Sequence, residues 1–131
     1  MARKVLVVED NELNLKLFCD LLRAHGHDAE GVRDAREAIE RATLFAPQII
    51  VMDIQMPHVT GIELITAMRA DDTLCATPVM AVTAYAGKAD EDRARAAGAD
   101  AYVSKPISLA RFIDVVEGLF ARPVPGDLAP I

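Results

Sequence analysis

The sequence predicts an α/β domain in which a parallel sheet is covered by helices on both faces. Short apolar runs rich in β-branched residues alternate with longer stretches whose apolar residues recur at helical spacing, which gives the order βαβαβαβαβα. The run IIVM at residues 49–52 is apolar without alternation, as is typical of strands buried on both faces. The chain has 131 residues, 52% of them hydrophobic, which is enough for one domain with its own core. Right-handed crossovers between the strands then give a three-layer α/β sandwich.

Five segments are predicted to be strands. The second of them is short and contains Gly31, so we place it at an edge of the sheet, where a glycine costs the least stability. The predicted strands cover residues 4–8, 29–32, 48–53, 78–83 and 101–104.

Five helices are predicted to follow these strands. Two of them begin after a capping residue, Asp34 or Thr60, with a glutamate three positions further on, Glu37 or Glu63, which is the capping-box pattern. Ser108 precedes the last helix. The predicted helices cover residues 13–24, 35–45, 61–70, 88–97 and 109–121.

Composition and charge exclude several classes of function. Fourteen basic and twenty acidic residues give a net charge of −6, which disfavours binding to nucleic acid or to an anionic membrane. The apolar run at residues 5–8 is too short for a signal peptide or a membrane span, so we expect a cytoplasmic protein. Cys19 and Cys75 lie far apart with no CxxC motif or Cys/His cluster, so neither a disulfide nor a zinc site is expected.

One domain is expected to cover residues 1–121. The segment that follows, residues 122–131, reads RPVPGDLAPI, with three prolines and one glycine in ten residues. We therefore predict a flexible tail there and no output domain.

Polar residues of complementary chemistry fall at the carboxyl ends of four predicted strands, where open parallel sheets bind ligands. They are Glu9 and Asp10 after the first strand, Asp53 at the end of the third, Thr83 at the end of the fourth and Lys105 after the fifth. Converging carboxylates repel one another unless a hard cation lies among them, so the acids predict a divalent-cation site, with Mg²⁺ the first candidate. A lysine and a hydroxyl beside such a cation are the groups that bind a phosphoryl group. Together these residues predict a phosphoryl-binding pocket.

Each of these residues also has an ordinary structural explanation. An acidic pair after a strand can be a solvated turn before a helix, and Asp53 can cap the loop that leads to Thr60. A threonine at a strand end can reflect β propensity, and Lys105 can be a surface charge. The coincidence of these residue types at one edge of the sheet favours the functional interpretation.

Four segments resemble the signature segments of the response-regulator receiver family. They are VVEDNE, IVMDIQMPHVTG, AVTAYA and AYVSKPIS, in the order of the family and spread over residues 3–121. The resemblance implies a flavodoxin-like receiver fold, which is a doubly wound five-stranded parallel sheet in the strand order 2-1-3-4-5. More narrowly, the first segment and the SKPIS ending are similar to single-domain cell-division response regulators of alphaproteobacteria.

The resemblance implies a phosphoacceptor and a set of Mg²⁺ ligands. Asp53 would be the phosphoacceptor. Asp10 and Asp53 would bind Mg²⁺ directly, together with the backbone carbonyl of Gln55, and Glu9 would hold the metal through water.

The resemblance also implies residues that bind the phosphoryl group and report on it. Lys105, ahead of Pro106, would bind the phosphoryl group. Thr83 and Tyr102 would form a switch pair. Gln55 and Tyr85, two residues after Asp53 and Thr83, are expected to flank the path of the water that hydrolyses the phosphorylated form.

The implied function is that of a single-domain response regulator in a two-component phosphorelay. A phosphoryl group would pass from phosphohistidine on a sensor histidine kinase or a histidine phosphotransferase to Asp53. The chain would then signal through a changed surface for a downstream protein. It would not be an enzyme, apart from its own phosphotransfer and a slow autodephosphorylation.

Two helices are predicted to contact partners. The fourth, KADEDRARAA, contains no large apolar residue and should be displaced at little cost, so the face formed by the fourth helix, fifth strand and fifth helix is expected to contact the downstream target. The first helix has apolar residues over a wide arc, so we hypothesise that Leu15, Cys19 and Leu22 form an exposed strip that docks the kinase or phosphotransferase. A broad buried stripe explains the arc equally well. The histidines expected to be solvated are His25, His27 and His58.

Three other functions are compatible with parts of the pattern. A haloacid-dehalogenase-type phosphohydrolase also has an aspartate nucleophile and Mg²⁺, but its general acid lies two residues further on, where this chain has Gln55. A flavodoxin-like cofactor binder needs a phosphate-binding loop after the first strand, where this chain has EDNE. A non-phosphorylated pseudo-receiver would not need the intact set of acids, threonine and lysine.

Overall fold

The computed structural model describes residues 3–83, 87–104 and 108–121, which contain five strands and five α-helices. The strands are β1 (Lys4–Val8), β2 (Asp28–Val32), β3 (Ile49–Asp53), β4 (Val79–Thr83) and β5 (Ala101–Ser104). The helices are α1 (Glu12–Ala24), α2 (Ala38–Phe45), α3 (Gly61–Arg69), α4 (Lys88–Ala97) and α5 (Leu109–Ala121), and a 3₁₀ turn over Ala35–Glu37 precedes α2. The predicted order of elements is confirmed, and most ends shift by a residue at most. The predicted tail at residues 122–131 lies outside the described residues.

All five strands run parallel in the order β2-β1-β3-β4-β5. The strand that contains Gly31, β2, lies at an edge of the sheet, as expected. Val8 pairs with Met52 and Asp53 pairs with Val82, so β1, β3 and β4 end close together. The residues that follow these strands therefore share one edge of the sheet, which is where ligands bind in folds of this class.

Each face of the sheet packs against its own set of helices. Because side chains alternate along a strand, Leu6 and Val8 face α2, α3 and α4, whereas Val5 and Val7 face α1 and α5. On the second face, the Phe18 ring of α1 stacks on a phenylalanine ring of α5 with their centroids 4.7 Å apart. Burial of a large apolar side chain contributes roughly 1.5–3 kcal/mol. These two cores hold the helices on the sheet.

The exposed strip predicted on α1 is wrong, because its residues pack inward. Leu22 is 0% and Cys19 is 4% exposed, and half-buried Leu15 lies over Gly31 of β2. Helix α1 contacts both β1 and β2, so its buried face is wider than contact with one strand requires. The broad buried stripe is therefore the correct explanation of the apolar arc. The large apolar residues of α1 that are exposed are Leu13 and Leu17.

The start of α3 follows the capping prediction, whereas the start of the second helical segment departs from it. Thr60 Oγ1 accepts a hydrogen bond from the backbone N–H of Glu63 (3.2 Å), and Glu63 Oε1 accepts one from the backbone N–H of Thr60 (3.2 Å). Asp34 instead caps the 3₁₀ turn, where it accepts a hydrogen bond from the backbone N–H of Arg36 (2.9 Å). The Arg36 guanidinium also donates hydrogen bonds to both oxygens of the Asp34 carboxylate. The predicted capping box with Glu37 is therefore wrong.

His27 is buried, so the prediction that it is solvated is wrong. Its Nε2 lies 3.0 Å from Oε1 of Glu117 on α5, and its ring stacks on Phe120 with the centroids 5.1 Å apart. The loop before β2 is thus packed against the end of α5. His25 and His58 are exposed, as expected.

Arg69 at the end of α3 joins the loops that lead into β4 and β5. Its guanidinium donates to the carbonyl oxygens of Thr77 (2.7 Å) and Gly98 (2.8 Å) and to Oδ2 of Asp100 (2.9 Å). The same Oδ2 atom accepts a hydrogen bond from the backbone N–H of Val79, the first residue of β4 (2.9 Å). Multiple charge-assisted bonds of this kind hold a guanidinium in one geometry. Arg69 therefore fixes where β4 and β5 begin.

Two further features are the environments of the cysteines and the apolar character of the helices. Cys19 is a buried free thiol and Cys75 is an exposed one. Within residues 3–83, 87–104 and 108–121, no helix combines the length and apolar character needed to cross a bilayer.

Gly61 allows α3 to begin directly against the end of β3. A Cβ atom at this position would lie 2.7 Å from Cα of Ile54 and 2.8 Å from the carbonyl oxygen of Asp53. Both are backbone atoms, which cannot turn away as a side chain can. The Gly61 N–H donates to the carbonyl oxygen of Ile54 (2.9 Å), so the close approach is fixed by a hydrogen bond. Gly61 therefore sets the path of the loop that follows Asp53.

Replacement of Gly61 by alanine is expected to lower the free energy of unfolding by about 1–3 kcal/mol, because the new methyl group forces the backbone of α3 and β3 apart. Gly118→Ala is the matched control, since a Cβ atom at this exposed position of α5 meets no atom within 4 Å. The control is expected to raise the free energy of unfolding by about 0.5–1 kcal/mol through helix propensity. Urea denaturation measures both, and a Gly61→Ala protein as stable as wild type would contradict the steric argument.

Candidate functional site

Three carboxylates meet at the carboxyl edge of the sheet. Glu9 and Asp10 follow β1, and Asp53 is the last residue of β3, the neighbouring strand. One carboxylate oxygen of each residue lies within 4.8 Å of the other two. Glu9 is 1% and Asp53 is 5% exposed, whereas Asp10 is half-buried. The acids that the sequence places at this edge therefore form one cluster.

A hydrogen bond from α1 orients Glu9. Asn11 caps this helix, and its side chain accepts a hydrogen bond from the backbone N–H of Asn14 (3.0 Å). The Asn14 side chain turns back and donates from Nδ2 to Oε1 of Glu9 (3.2 Å). The backbone N–H of Glu9 donates to the carbonyl oxygen of Val32 on β2 (3.0 Å). Asn14 is a site residue that the motifs did not indicate, and its signal in the sequence is its position in the first helical turn after the acids.

Main-chain hydrogen bonds position Asp53. The backbone N–H of Ile54 donates to the carbonyl oxygen of Val82 (2.9 Å), which keeps the chain in register with β4 just past Asp53. The backbone N–H of Gln55 then donates to Oδ1 of Asp53 (3.0 Å). The orientation of the carboxylate therefore depends on the loop after β3, which Gly61 holds against the sheet.

The chemistry of the acidic cluster fits a hard divalent cation. Carboxylate and carbonyl oxygens are the ligands that Mg²⁺ and Ca²⁺ take in proteins, whereas softer ions prefer thiolate and imidazole. Exposed acids need no cation, but two members of this cluster are almost fully buried, where like charges repel more strongly than in water. The residues that could hold a cation are Glu9, Asp10 and Asp53, with the backbone carbonyl of Gln55 as the further ligand that the family resemblance implies.

A cavity of about 320 Å³ adjoins the cluster and is lined in part by Asp10, Arg33 and His58. Asp34 also lines it, but Arg36 occupies the Asp34 carboxylate through two guanidinium contacts of 3.0 and 2.8 Å. The side-chain hydrogen bond to Arg36 is the main cause that lowers the pKa of Asp34 to about 2. Asp34 is thereby engaged as a helix cap and is not a fourth member of the acidic cluster.

Thr83 at the end of β4 lies between two polar side chains. Thr83 is 1% exposed, and its hydroxyl oxygen lies 2.8 Å from Nε2 and 3.0 Å from Oε1 of Gln55. Tyr102 on β5 is half-buried, and desolvation raises the pKa of its phenol, an effect partly offset by a hydrogen bond with the Thr83 side chain. The two residues of the expected switch pair are therefore in contact, with Gln55 as a third member that the sequence associated only with the metal and with hydrolysis.

The remaining site residues indicated by the sequence cannot be placed in the same way. Lys105, Pro106 and Tyr85 lie outside the described residues. Their roles in binding the phosphoryl group and in hydrolysis stay predictions.

Helix α4 buries little apolar surface. Among its residues only Ala94 is buried. Three ion pairs lie along the surface of α4: Lys88 with Asp92, Asp90 with Arg93, and Glu91 with Arg95. Such surface ion pairs contribute less than about 1 kcal/mol each to stability. A cavity of about 600 Å³ lies beside the helix, lined in part by Gln55 and Arg93. Displacement of α4 therefore costs little buried apolar area.

Comparison with known protein families matches this chain to one of them. The family described as the response regulator receiver domain matches residues 5–117. The polar-differentiation response regulator DivK of Brucella anthropi is 48% identical over 117 residues, which cover 89% of this chain and 95% of that protein. DivK of Brucella ovis is 47% identical over the same share of each chain. These relatives agree with the narrower resemblance to cell-division response regulators.

Comparison with solved structures gives the same fold. The chemotaxis response regulator CheY4 of Vibrio cholerae aligns with a TM-score of 0.86 at 25% identity, covering 91% of this chain and 99% of that chain. The receiver domain of the Francisella response regulator 1452 aligns with a TM-score of 0.84 at 27% identity, covering 90% and 96%. The strand order β2-β1-β3-β4-β5 is therefore that of CheY-like receiver domains, as the sequence resemblance implied.

Removal of one charge from the acidic cluster is expected to stabilise the metal-free protein. Asp10→Asn should raise the free energy of unfolding in EDTA by about 1–2 kcal/mol, because it removes repulsion between carboxylates a few ångströms apart. The gain should shrink in high salt, which screens the half-exposed charge. Asp114→Asn, on the exposed surface of α5, is the matched control and should change stability little. Urea denaturation at two salt concentrations measures the difference, and a destabilised Asp10→Asn protein would show that the cluster is not under repulsion.

Proposed function

The chain belongs to the response regulator receiver domain family of two-component signalling proteins, and we propose that Asp53 is the phosphoacceptor through which it signals. The observation that supports this role is the acidic cluster. Asp53 is buried among two further carboxylates at the end of β3, and the Thr83 hydroxyl lies at the end of the adjacent strand. Asp53 lies within β3 as its last residue, whereas Glu9 and Asp10 lie in the loop that follows β1.

The proposed reaction transfers a phosphoryl group from phosphohistidine to Asp53. A carboxylate oxygen of Asp53 forms the new P–O bond, the P–N bond breaks, and its electron pair stays on the imidazole of the donor. The product is a mixed anhydride. A carboxylate nucleophile carries no proton to remove, so the site needs no general base, and catalysis depends on position and electrostatics.

Glu9, Asp10, Asp53 and the Gln55 carbonyl would hold the Mg²⁺ that receiver domains generally bind through such acids. When bound, the metal supplies positive charge that stabilises the phosphoryl oxygens. The chain's own residues do the rest: Asn14 orients Glu9, and the Gln55 N–H orients Asp53. Lys105 would add a fixed positive charge for the phosphoryl group.

The phosphorylated form would signal through the surface next to Thr83. A phosphoryl group on Asp53 offers charged acceptors to the Thr83 hydroxyl, and movement of Thr83 would release its contact with Tyr102. The face formed by α4, β5 and α5 would then change for a downstream protein, since α4 is held by little buried apolar area.

The partners follow from the same chemistry. Phosphoryl donors of receiver domains are sensor histidine kinases or histidine phosphotransferases. The relatives of this chain are named as polar-differentiation response regulators, and this name supports the proposal that the chain acts in the control of cell polarity and division.

Incubation with acetyl phosphate and Mg²⁺ tests the phosphoacceptor role. The wild-type protein should gain the mass of one phosphoryl group, and mild base should remove it, because an acyl phosphate is base-labile. Asp53→Asn should gain none, whereas the control Asp114→Asn should react as wild type does. Intact-mass spectrometry measures the mass gained by each of the three proteins.

Two results would contradict the proposed phosphoacceptor role of Asp53. An adduct that persists in Asp53→Asn would place the phosphoryl group elsewhere. Steady turnover of phosphate esters by the wild-type protein would favour the phosphohydrolase, against which stands Gln55 in the position of its general acid.

A further inference from the structure

We propose that the side chain of Gln55 is a latch that holds Thr83 in its unphosphorylated position and thereby opposes activation. The inference rests on the proposed phosphorylation of Asp53. Gln55 would thus be a positioning residue: it would set the equilibrium between the resting position of Thr83 and the position that Thr83 takes in the active state.

The latch is built from one residue that contacts both the acceptor and the switch. The backbone N–H of Gln55 donates to Oδ1 of Asp53 (3.0 Å), and the Gln55 amide group lies within 3.0 Å of the Thr83 hydroxyl through both of its polar atoms. Whichever way the amide is turned, it therefore hydrogen-bonds the hydroxyl. A change of the side chain alone leaves the backbone contact with Asp53 in place.

The environments of the two partners favour this bond. Thr83 is 1% exposed, so its hydroxyl has little access to solvent, whereas Gln55 is exposed and could extend into water. An exposed glutamine loses rotamer freedom when it is held in one conformation, which costs free energy. The bond to a buried hydroxyl offsets this cost and gives Gln55 a defined position over the end of β4.

Phosphorylation must compete with the latch. A threonine hydroxyl has a single proton to donate. Donation from the Thr83 hydroxyl to a phosphoryl oxygen on Asp53 therefore breaks the hydrogen bond that Oε1 of Gln55 accepts. Displacement of Thr83 also breaks the hydrogen bond that Nε2 of Gln55 donates to the hydroxyl. The charge-assisted bond to the phosphoryl group is the stronger one. The population of the active state is nevertheless lower than it would be without the glutamine amide.

Equilibrium binding of beryllofluoride, a phosphoryl mimic that is not turned over, tests the latch separately from any effect on hydrolysis. Gln55→Met keeps the length of the side chain and removes its amide. In the presence of Mg²⁺, this variant should bind beryllofluoride about three- to tenfold more tightly than wild type, the fold-change that corresponds to one net neutral hydrogen bond. In the metal-free protein, the Thr83 methyl resonance should move toward its position in the wild-type complex.

A double-mutant cycle shows whether the effect passes through Thr83. In a Thr83→Val background, which lacks the hydroxyl, Gln55→Met should leave the affinity unchanged. Ile62→Leu is the matched control, since Ile62 lines the same cavity as Gln55, and it should bind beryllofluoride as wild type does. Gln55→Leu provides a second variant without the amide and should reproduce the tighter binding.

Unchanged or weaker binding by both Gln55 variants would overturn the latch, and so would an effect that persists in the Thr83→Val background. If the wild-type protein binds no beryllofluoride and takes no phosphoryl group from acetyl phosphate, the proposed function itself is wrong and the latch falls with it. A wild-type protein that does both, beside Gln55 variants that show no gain in affinity, would leave the proposed function standing and remove the latch alone.

Discussion

Three carboxylates lie within 4.8 Å of one another because two neighbouring parallel strands deliver them to the same edge of the sheet. Their mutual repulsion is the constraint on which the site depends, since two of the three are almost fully buried. A hard cation bound among them would neutralise this repulsion. It would also allow the edge of an acidic protein to accept a phosphoryl group, which bare carboxylates would repel. The phosphoryl transfer to Asp53 that we propose would thus depend on the electrostatics of the cluster.

The site has two sides, which differ in how firmly the fold holds them: an acceptor side around Asp53 and a switch side around Thr83. On the acceptor side, Gly61 packs α3 against the end of β3, and Asn14 ties α1 to Glu9. On the switch side, Arg69 fixes the starts of β4 and β5, but the adjoining α4 buries only Ala94. A rigid acceptor side would keep the groups of the proposed reaction in place. In the mechanism that we propose, the weakly held α4 would let a small change at Thr83 alter the surface that a partner contacts.

The layers of the fold could be predicted from the sequence for two reasons. Buried parallel strands are apolar without alternation, and helices show apolar residues at helical spacing after a capping residue. The order of the strands came only from the resemblance to receiver domains, since periodicity says nothing about which strands are neighbours. The faces of α1 could not be assigned, because its apolar arc is wide and the burial of Cys19 and Leu22 depends on how the helix lies across β1 and β2. The burial of His27 likewise depends on the distant Glu117 and Phe120.

The site was predictable to the extent that its residues end strands. Glu9, Asp10, Asp53 and Thr83 could be selected because strand ends converge, whereas Asn14 acts from within a helix and has no motif. The bond between the Gln55 side chain and Thr83 depends on the path of the loop that Gly61 holds, which no local pattern encodes.

Isothermal titration calorimetry of Mg²⁺ into the native, metal-free protein tests the central electrostatic claim most directly. Saturable binding at a single site, strengthened when beryllofluoride is present, is the predicted result. Absence of any Mg²⁺ binding, with or without beryllofluoride, would contradict the claim that the clustered acids share a cation.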